Sequence, residues 1–325
     1  MPYNSVIDRS DAGALIPEDV SREIIQGIPE ASVVMQLGRR LPNMSRRQRR
    51  MPVLDSLITA YFVDGDTGMK QTSEVAWSNK YINAEELAVI VPIPEAVLED
   101  TDYDIWGELR PRIVEAMGLA FDQAVLFGTN APADWPDDIL TGATAASHVV
   151  DYSTQVAAGE DLYEILLGEG GVISLVEADG FAPTGHIGGM VMRGRLRGLR
   201  EQVYDGTTTS AVGAPLFMTS MQGSGQYVLD GEPILFPRNG AMTSTALLFS
   251  GDWTQLVYAM RQDITYKILD QAVIQDGAGN IVYNLAQQDM VALRAMVRLG
   301  WQVPNPINRL NTNAVTRYPF AVLVP

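Results

Sequence analysis

Few residues of this chain have the chemistry for covalent or acid–base catalysis. The sequence contains no cysteine, which excludes a disulfide scaffold, a thiolate metal site and a cysteine nucleophile. It contains two histidines, His148 and His186, which lie far apart. His148 lies in a segment rich in Ala, Thr and Ser, and His186 lies among glycines. We therefore predict that both are ordinary loop residues and not metal ligands.

Acidic side chains are concentrated between residues 85 and 104. Paired carboxylates carry out acid–base catalysis only in a cleft that separates their pKa values. These carboxylates flank a predicted strand and a short helix, so we interpret them as a solvated or interfacial acidic face. The sequence has no GxSxG, HExxH, phosphate-loop or dinucleotide-binding motif. We predict no catalytic residue, no cofactor and no metal site, and hence no enzyme.

The charge balance argues against a dedicated nucleic-acid-binding protein. The formal net charge is −16, whereas nucleic-acid binding needs a basic surface. Twenty of the 23 cationic residues are arginines, which pair well with carboxylates across interfaces. The strongest basic cluster is Arg39, Arg40, Arg46, Arg47, Arg49 and Arg50. It would contact either packaged DNA or an acidic neighbouring subunit, and the net charge favours the subunit.

A second basic run lies on a predicted helix and comprises Arg193, Arg195, Arg197 and Arg200. At this spacing the side chains spread around a helix instead of forming one stripe. We interpret these arginines as solvated or as contacts between subunits.

The first 82 residues are expected to form two extended elements with little core of their own, which should lie along another surface. Residues 1–45 alternate short apolar clusters with Gly and Pro, which keep any helices short, and read as an arm. Residues 46–82 read as a long hairpin around the turn Asp64–Gly68. Because a two-stranded ribbon is marginal alone in water, this hairpin needs a surface to lie on, such as a neighbouring subunit.

The rest of the chain predicts a mixed α+β structure with unusually long elements. An apolar strand is expected over Leu87–Ile93, and then a short helix that Pro94 opens. A longer helix over Asp104–Phe127 would reach roughly 36 Å, with Pro111 either kinking it or opening its main part. Apolar residues alternate from Val291 to Val303, which indicates a strand of roughly 40 Å. These matching lengths predict an elongated slab.

Shorter elements are predicted between and beside the long ones. Residues 130–255 read as a compact α+β unit, with helices at Asp161–Leu167 and Met190–Gln202. A strand is expected over Ile264–Ile268, followed by a turn at residues 276–280.

The order of these elements resembles the Hong Kong-97-type major capsid proteins of tailed phages. Five stretches carry the resemblance: PEDVSREIIQGIPEASVVMQLGRRLP (Pro17–Pro42), ELAVIVPIPEAVLEDTDYDIWGEL (Glu86–Leu109), AFDQAVLFGTN (Ala120–Asn130), LLFSGDWTQLVYAMRQDITYKIL (Leu247–Leu269) and DMVALRAMVRLGWQVPNPI (Asp289–Ile307). The stretches lie between residues 17 and 307, so the resemblance extends over nearly the whole chain. Each stretch is weak alone, but their order and spacing together are fairly specific.

The resemblance implies an α+β Hong Kong-97-type capsid fold with four parts. These are an N-arm (1–45), an E-loop hairpin (46–82), a peripheral domain (83–130 and 256–304) and an axial domain (131–255 and 305–325). It implies hexamers and pentamers that close into an icosahedral shell around double-stranded DNA, bound without sequence specificity. Residues expected at contacts between subunits are Arg39, Arg40, Arg46, Arg47, Arg49, Arg50, Asp64, Asp66, Lys70, Glu74 and Trp77.

Further partners follow from the same resemblance. They are a separate scaffolding protein, a portal and possibly a decoration protein, with assembly in the cytoplasm of a bacterial host and no membrane. We expect a separate scaffolding protein because this sequence begins almost directly at the arm. This expectation fails if the sequence is already a processed form.

The chain departs from the family members that crosslink covalently. Those members join a hairpin Lys to an Asn with the help of a catalytic Glu. Here Asp289 stands at the Asn position and Met296 at the Glu position, although Lys70 and Lys80 lie in the hairpin. We therefore expect no isopeptide crosslinking. Two alternative functions remain open at this point, an encapsulin-type shell that stores cargo enzymes and a soluble acidic enzyme with an unrecognised site.

Overall fold

The structure is a computed structural model that describes residues 32–63, 69–70, 72–100, 105–199, 203–204, 209–210 and 227–325. The helices are α1 Val33–Leu37, α2 Glu95–Asp100, α3 Ile105–Phe127, α4 Ile139–Ala145, α5 Tyr152–Ala158, α6 Leu162–Leu167, α7 Val172–Ala178 and α8 Met190–Gly198. The strands are β1 Arg39–Arg40, β2 Gln48–Leu54, β3 Trp77–Asn83, β4 Glu85–Pro94, β5 Val149–Asp151, β6 Gly185–Gly188, β7 Val203–Tyr204, β8 Thr209–Ser210, β9 Val228–Leu229, β10 Glu232–Leu235, β11 Leu248–Gly251, β12 Val257–Leu269, β13 Val273–Gln275, β14 Ile281–Asn284, β15 Met290–Gln302 and β16 Phe320–Val324.

A four-stranded sheet in the order β1-β12-β15-β4 forms the long side of the molecule. β12 and β15 have 13 residues each, about 43 Å at 3.3 Å per residue, so the predicted long strand is confirmed. The strand predicted at Ile264–Ile268 begins earlier, at Val257. Register shifts between Met260 and Thr265 interrupt its alternation, which is why the sequence pattern showed only its second half.

The long helix α3 packs on this sheet through one apolar face. Ile113, Met117, Phe121 and Val125 recur every four residues and are at most 4% exposed. The helix has 23 residues, about 35 Å at 1.5 Å each, and Pro111 lies inside it. Pro111 therefore does not open the helix.

A six-stranded sheet in the order β5-β16-β11-β6-β10-β9 forms the second unit. Alternate side chains of its central strands enter different cores. Phe249 and Val322 join the core under α3, whereas Leu248 and Leu323 join the core formed with α6, α7 and α8. The sheet is thus buried on both faces, and a compact α+β unit is present as predicted.

Two predicted helices of this unit differ from the observed ones at their ends. α6 begins at Leu162 because the Asp161 carboxylate accepts a hydrogen bond from the Leu162 N–H at 2.8 Å. α8 ends at Gly198, short of the predicted Gln202, and Leu199 already has an extended backbone. Within the described ranges, no helix is long and apolar enough to span a bilayer.

Three further pairs of antiparallel strands are β2–β3, β7–β8 and β13–β14. β2 and β3 pair antiparallel from Gln48 opposite Asn83 to Leu54 opposite Trp77, which confirms the hairpin. Its turn at Asp64–Gly68 lies outside the described residues. The smaller hairpin, β13 and β14, turns where expected, with Asp276 accepting hydrogen bonds from the Ala278 and Asn280 N–H groups.

Candidate functional site

The described chain begins at a buried junction that we call the arm root, Ser32 to Met35. The carboxylate of Asp122, in the last third of α3, has no exposed surface and accepts three hydrogen bonds from this junction. Ser32 Oγ donates to it at 2.5 Å, the Val33 N–H at 2.9 Å and the Val34 N–H at 3.2 Å. The carboxylate thus satisfies N–H groups that the first turn of α1 leaves free.

Burial nevertheless dominates the proton affinity of this carboxylate. Loss of solvent raises the pKa of Asp122 to about 6, although hydrogen bonds from Ser32, Val33, Val34 and Asn239 lower it. Local sequence patterns do not predict this contact, because its partners Ser32 and Asp122 lie about 90 residues apart. The signal was present: an acidic residue adjoins the apolar face of a long helix, where it needs a partner.

The segment after the arm root lies on its own molecule. The N–H groups of Leu41 and Met44 donate to the carbonyls of Tyr258 and Met260 at 2.8 and 2.7 Å, and Met44 is buried. Residues 32–44 of the predicted arm therefore lie along other elements of their own chain. Residues 1–31 of the predicted arm lie outside the described residues.

The base of the β2–β3 hairpin is attached to the body by packing and by polar contacts. Met44, Ile82, Ala84, Val257 and Ala259 form a small buried cluster at this base. On β15, a side-chain carbon on Gly300 would lie 2.2 Å from the carbonyl oxygen of Asn83, so only glycine allows this approach.

A polar clasp joins the hairpin base to the loop before α4. Arg47 Nη2 lies 2.7 Å from a Glu85 carboxylate oxygen and 2.6 Å from Asp134. Asn83 Nδ2 donates to the Asp134 carbonyl at 2.8 Å, and Trp135 Nε1 donates to the Asn83 carbonyl at 3.1 Å. Two predicted features, the arginine cluster and the acidic face, thus meet here within one chain.

The outer part of the hairpin presents large apolar side chains to solvent. Phe62, Met69 and Trp77 are 104%, 88% and 67% exposed, and Ile58 is 57% exposed. Large exposed apolar side chains on one element are typical of an interaction surface. We call Ile58, Phe62, Met69 and Trp77 the apolar outer hairpin.

The predicted contact residues are distributed along the hairpin and its base. Arg39, Arg40, Arg46, Arg47 and Arg50 are exposed, and so are Lys70, Glu74 and Trp77. Arg49 is partly buried and donates to the Pro42 carbonyl at 2.9 Å. Asp64 and Asp66 lie outside the described residues. A role of this set in contacts between subunits remains a prediction.

The prediction that both histidines are loop residues is confirmed for His148, which lies between α4 and β5, and is wrong for His186. His186 lies in β6, where Nε2 is 3.2 Å from the Leu229 carbonyl and Nδ1 is 3.0 Å from Ser250 Oγ. A carbonyl only accepts, so Nε2 carries the hydrogen and Nδ1 accepts from the serine. Burial lowers the pKa of His186 to about 4, which keeps the imidazole neutral.

His148 is also buried. Its Nε2 lies 3.2 Å from an Asp179 carboxylate oxygen, and its Nδ1 lies 3.2 Å from the Phe320 carbonyl. Among the residues the structure describes, no three His, Asp or Glu side chains converge as a metal site would require.

The second arginine run is not simply solvated. The Arg193 guanidinium lies 4.7 Å from the centre of the Tyr227 ring, and that of Arg195 lies 4.1 Å from the Tyr152 ring. Such stacking on aromatic faces is a frequent arginine contact. These two arginines therefore tie α8 to its own unit, while Arg200 lies outside the described residues.

Comparison with known proteins agrees with this architecture. The family model described as "Phage capsid family" matches residues 12–308. The structure has the α+β Hong Kong-97-type capsid fold that the sequence resemblance implied. The chain belongs to the phage capsid family.

Individual relatives support the assignment over most of the chain. The major capsid protein of Staphylococcus phage 80alpha is 26% identical over 311 residues, which cover 93% of this chain and 85% of that protein. A solved structure from Mycobacterium phage Adephagia is 31% identical with a TM-score of 0.74, covering 98% of both chains. A solved structure from Microbacterium phage Oxtober96 is 34% identical with a TM-score of 0.71, covering 90% of this chain and 91% of that one.

Proposed function

We propose that this chain is the major capsid protein of a tailed bacteriophage and that many copies close into an icosahedral shell around double-stranded DNA. One structural observation carries the proposal. The hairpin is attached at its base, yet its apolar outer part is exposed, so it is complete only when another surface covers it. Family membership supports a second copy of the chain as that surface. In a closed shell every such contact is repeated, so individually modest contacts suffice.

The finer organisation follows from the family resemblance. Copies group as hexamers and pentamers around the axial domain, residues 131–255 and 305–325. The peripheral domain, residues 83–130 and 256–304, carries the long helix and strands. The N-arm, residues 1–45, and the E-loop, residues 46–82, reach other copies. Within the arm, Arg39 to Met44 lie along β12 of their own copy.

Assembly takes place in the cytoplasm of a bacterial host, with a separate scaffolding protein, a portal and a decoration protein as partners. The net charge of −16 per copy gives DNA no passive attraction to subunits, so a motor drives filling. Spontaneous, salt-sensitive DNA binding by purified subunits would contradict this step.

Shell contacts are non-covalent in this proposal, and the chain is a structural protein without catalytic activity. Met296, at the position of the crosslinking Glu, has no group that accepts a proton. Asp289, at the Asn position, offers a carboxylate in place of an amide. Lys70 and Lys80 are exposed on the hairpin, but they lack these partners.

Expression of the chain with its scaffolding protein, followed by size-exclusion chromatography and negative-stain electron microscopy, tests the proposal. We expect closed particles of one diameter. Phe62→Ser should reduce their yield strongly, whereas Tyr163→Ser, which removes an exposed aromatic from α6, should leave it unchanged. A stable monomer or dimer of 35.5 kDa units at every salt concentration would refute a shell. Particles filled with cargo enzymes would indicate an encapsulin-type compartment.

A further inference from the structure

The connection between β15 and β16 follows the hairpin beyond its base. The Ile307 N–H donates to the Leu54 carbonyl at 3.3 Å, and Arg309 Nη2 donates to the Ile58 carbonyl at 2.7 Å. Leu54 ends β2, and Ile58 begins the apolar outer hairpin. The connection therefore contacts the hairpin just beyond the end of its regular β2–β3 pairing.

A buried arginine gives this connection a fixed shape. Arg317 is 3% exposed, and its Nε and Nη2 donate to the side chain and the carbonyl of Asn305, each at 3.1 Å. Its Nη1 donates to the Asn311 carbonyl at 3.0 Å, and Asn305 Nδ2 donates back to the Arg317 carbonyl at 2.7 Å. The planar guanidinium thus ties together both ends and the middle of residues 305–317.

Asp179 attaches the connection to the second unit. One carboxylate oxygen accepts from Asn311 Nδ2 at 2.7 Å, and the other accepts from the Tyr318 N–H at 2.7 Å. The Asp179 carbonyl accepts from Asn308 Nδ2 at 2.5 Å. Asp179 directly follows α7, whose apolar face is buried, so this attachment point is rigid.

Charge links the same network to the hairpin. Burial lowers the pKa of Arg317, and the carboxylates of Asp179 and Asp55 oppose that effect. Asp55 follows β2 directly, so a hairpin carboxylate acts on the buried guanidinium in addition to the carboxylate of the body.

We propose that residues 305–318 are a brace that sets the angle between the hairpin and the body, with Arg309 as the positioning residue that contacts the hairpin. The brace fixes this angle within a single chain, before any second copy is present. A hairpin held in this way loses less conformational freedom when it docks. Only that consequence rests on the proposed shell function, because the brace itself is a property of one subunit.

Distance measurements between spin labels test the brace directly. The chain has no cysteine, so Thr72→Cys on the hairpin and Ala145→Cys at the end of α4 give one labelled pair. Labelled chains are diluted into unlabelled chains, so that only distances within a subunit are recorded. We expect one narrow distance distribution in the labelled chain with Arg309 unchanged. With Arg309→Ala in the labelled chain, the distribution should broaden and shift. With Arg309→Lys instead, it should stay narrow, because lysine retains a donor for the Ile58 carbonyl.

One control variant and one further measurement make the outcome interpretable. Arg238→Ala removes the same charge from an exposed position in a different loop and should leave the distribution unchanged. Hydrogen exchange provides a second measurement, because Arg309→Ala should accelerate exchange of the Ile307 N–H. An unchanged distribution and unchanged exchange in Arg309→Ala would overturn the brace, even if shells form normally. Failure of the unaltered chain to form shells would instead overturn the proposed function and leave the distances meaningful.

Discussion

Replacing Asp122 by asparagine tests which force dominates at the arm root, the loss of solvent or the hydrogen bonds. The substitution keeps the size of the side chain and removes its charge. In the folded chain the pKa of Asp122 is raised to about 6, with burial as the largest cause, compared with an ordinary value of 3.8. Between these two pH values the folded chain holds a proton that the unfolded chain has released.

The sign and size of the effect follow from proton linkage. A carboxyl group whose pKa is raised on folding contributes stability at low pH, and this is lost as the pH rises through the folded pKa. A difference of about two pH units corresponds to about 3 kcal/mol at 1.36 kcal/mol per unit. We therefore compare the free energy of unfolding of the wild type with that of Asp122→Asn. The wild-type value minus the variant value should fall by roughly this amount from acid to neutral pH.

Urea denaturation followed by tryptophan fluorescence at several pH values between about 4 and 8 measures this difference. The global charge of the chain affects both proteins alike and cancels. Asp151→Asn is a matched control, for which the stability difference between wild type and variant should change with pH in the opposite direction. Hydrogen bonds from the Thr154 N–H and the Ser153 hydroxyl lower the pKa of Asp151, so its contribution should grow as the pH rises. A wild-type advantage over Asp122→Asn that stays constant or grows with pH would show that hydrogen bonding outweighs desolvation.

Three further outcomes are expected. Protonation of His186 opposes folding, because burial lowers its pKa in the folded chain. In the same denaturation assay, the free energy of unfolding of the wild type should therefore fall by about 3 kcal/mol relative to that of His186→Gln between pH 7 and pH 4. Gly300→Ala should destabilise the chain by about 1–3 kcal/mol through its clash with Asn83, whereas Gly194→Ala, in open space on α8, should be neutral or stabilising by thermal unfolding. Denaturing gels of assembled particles should show single chains of 35.5 kDa, and a ladder of covalent multimers would contradict the non-covalent shell.

Elements with a regular local pattern could be predicted from the sequence. β15 was visible because its side chains alternate through Ala295, Val297 and Leu299, and α3 because apolar residues recur every four positions. The hairpin was visible from two strand-like stretches around a turn. In each case the signal lies within about 40 neighbouring residues, and burial of one face converts it directly into structure.

Polar contacts between distant segments could not be predicted in this way. The pair of Ser32 and Asp122, and the brace around Arg317, join residues whose types are common and whose spacing has no period. His186 was misplaced for a related reason: the flanking glycines indicated a loop, but β6 uses small residues because Phe236 packs closely on Gly188. A systematic search for polar residues on apolar faces would have found Asp122, though not its partners.

Contacts within the chain hold the inner part of the hairpin, whereas its outer part exposes apolar side chains to solvent. The boundary between the two parts lies near Ile58. Inside this boundary, the small core around Ile82 and the brace hold the backbone. Outside it, Phe62 and Met69 are almost fully exposed, and burying each would contribute about 1.5–3 kcal/mol. That gain is comparable to the entropy of ordering one or two residues, so a freely swinging hairpin would gain little by docking. Because the inner half is already ordered, most of the gain remains available for association, which explains why a chain destined for a lattice fixes the base of its hairpin internally.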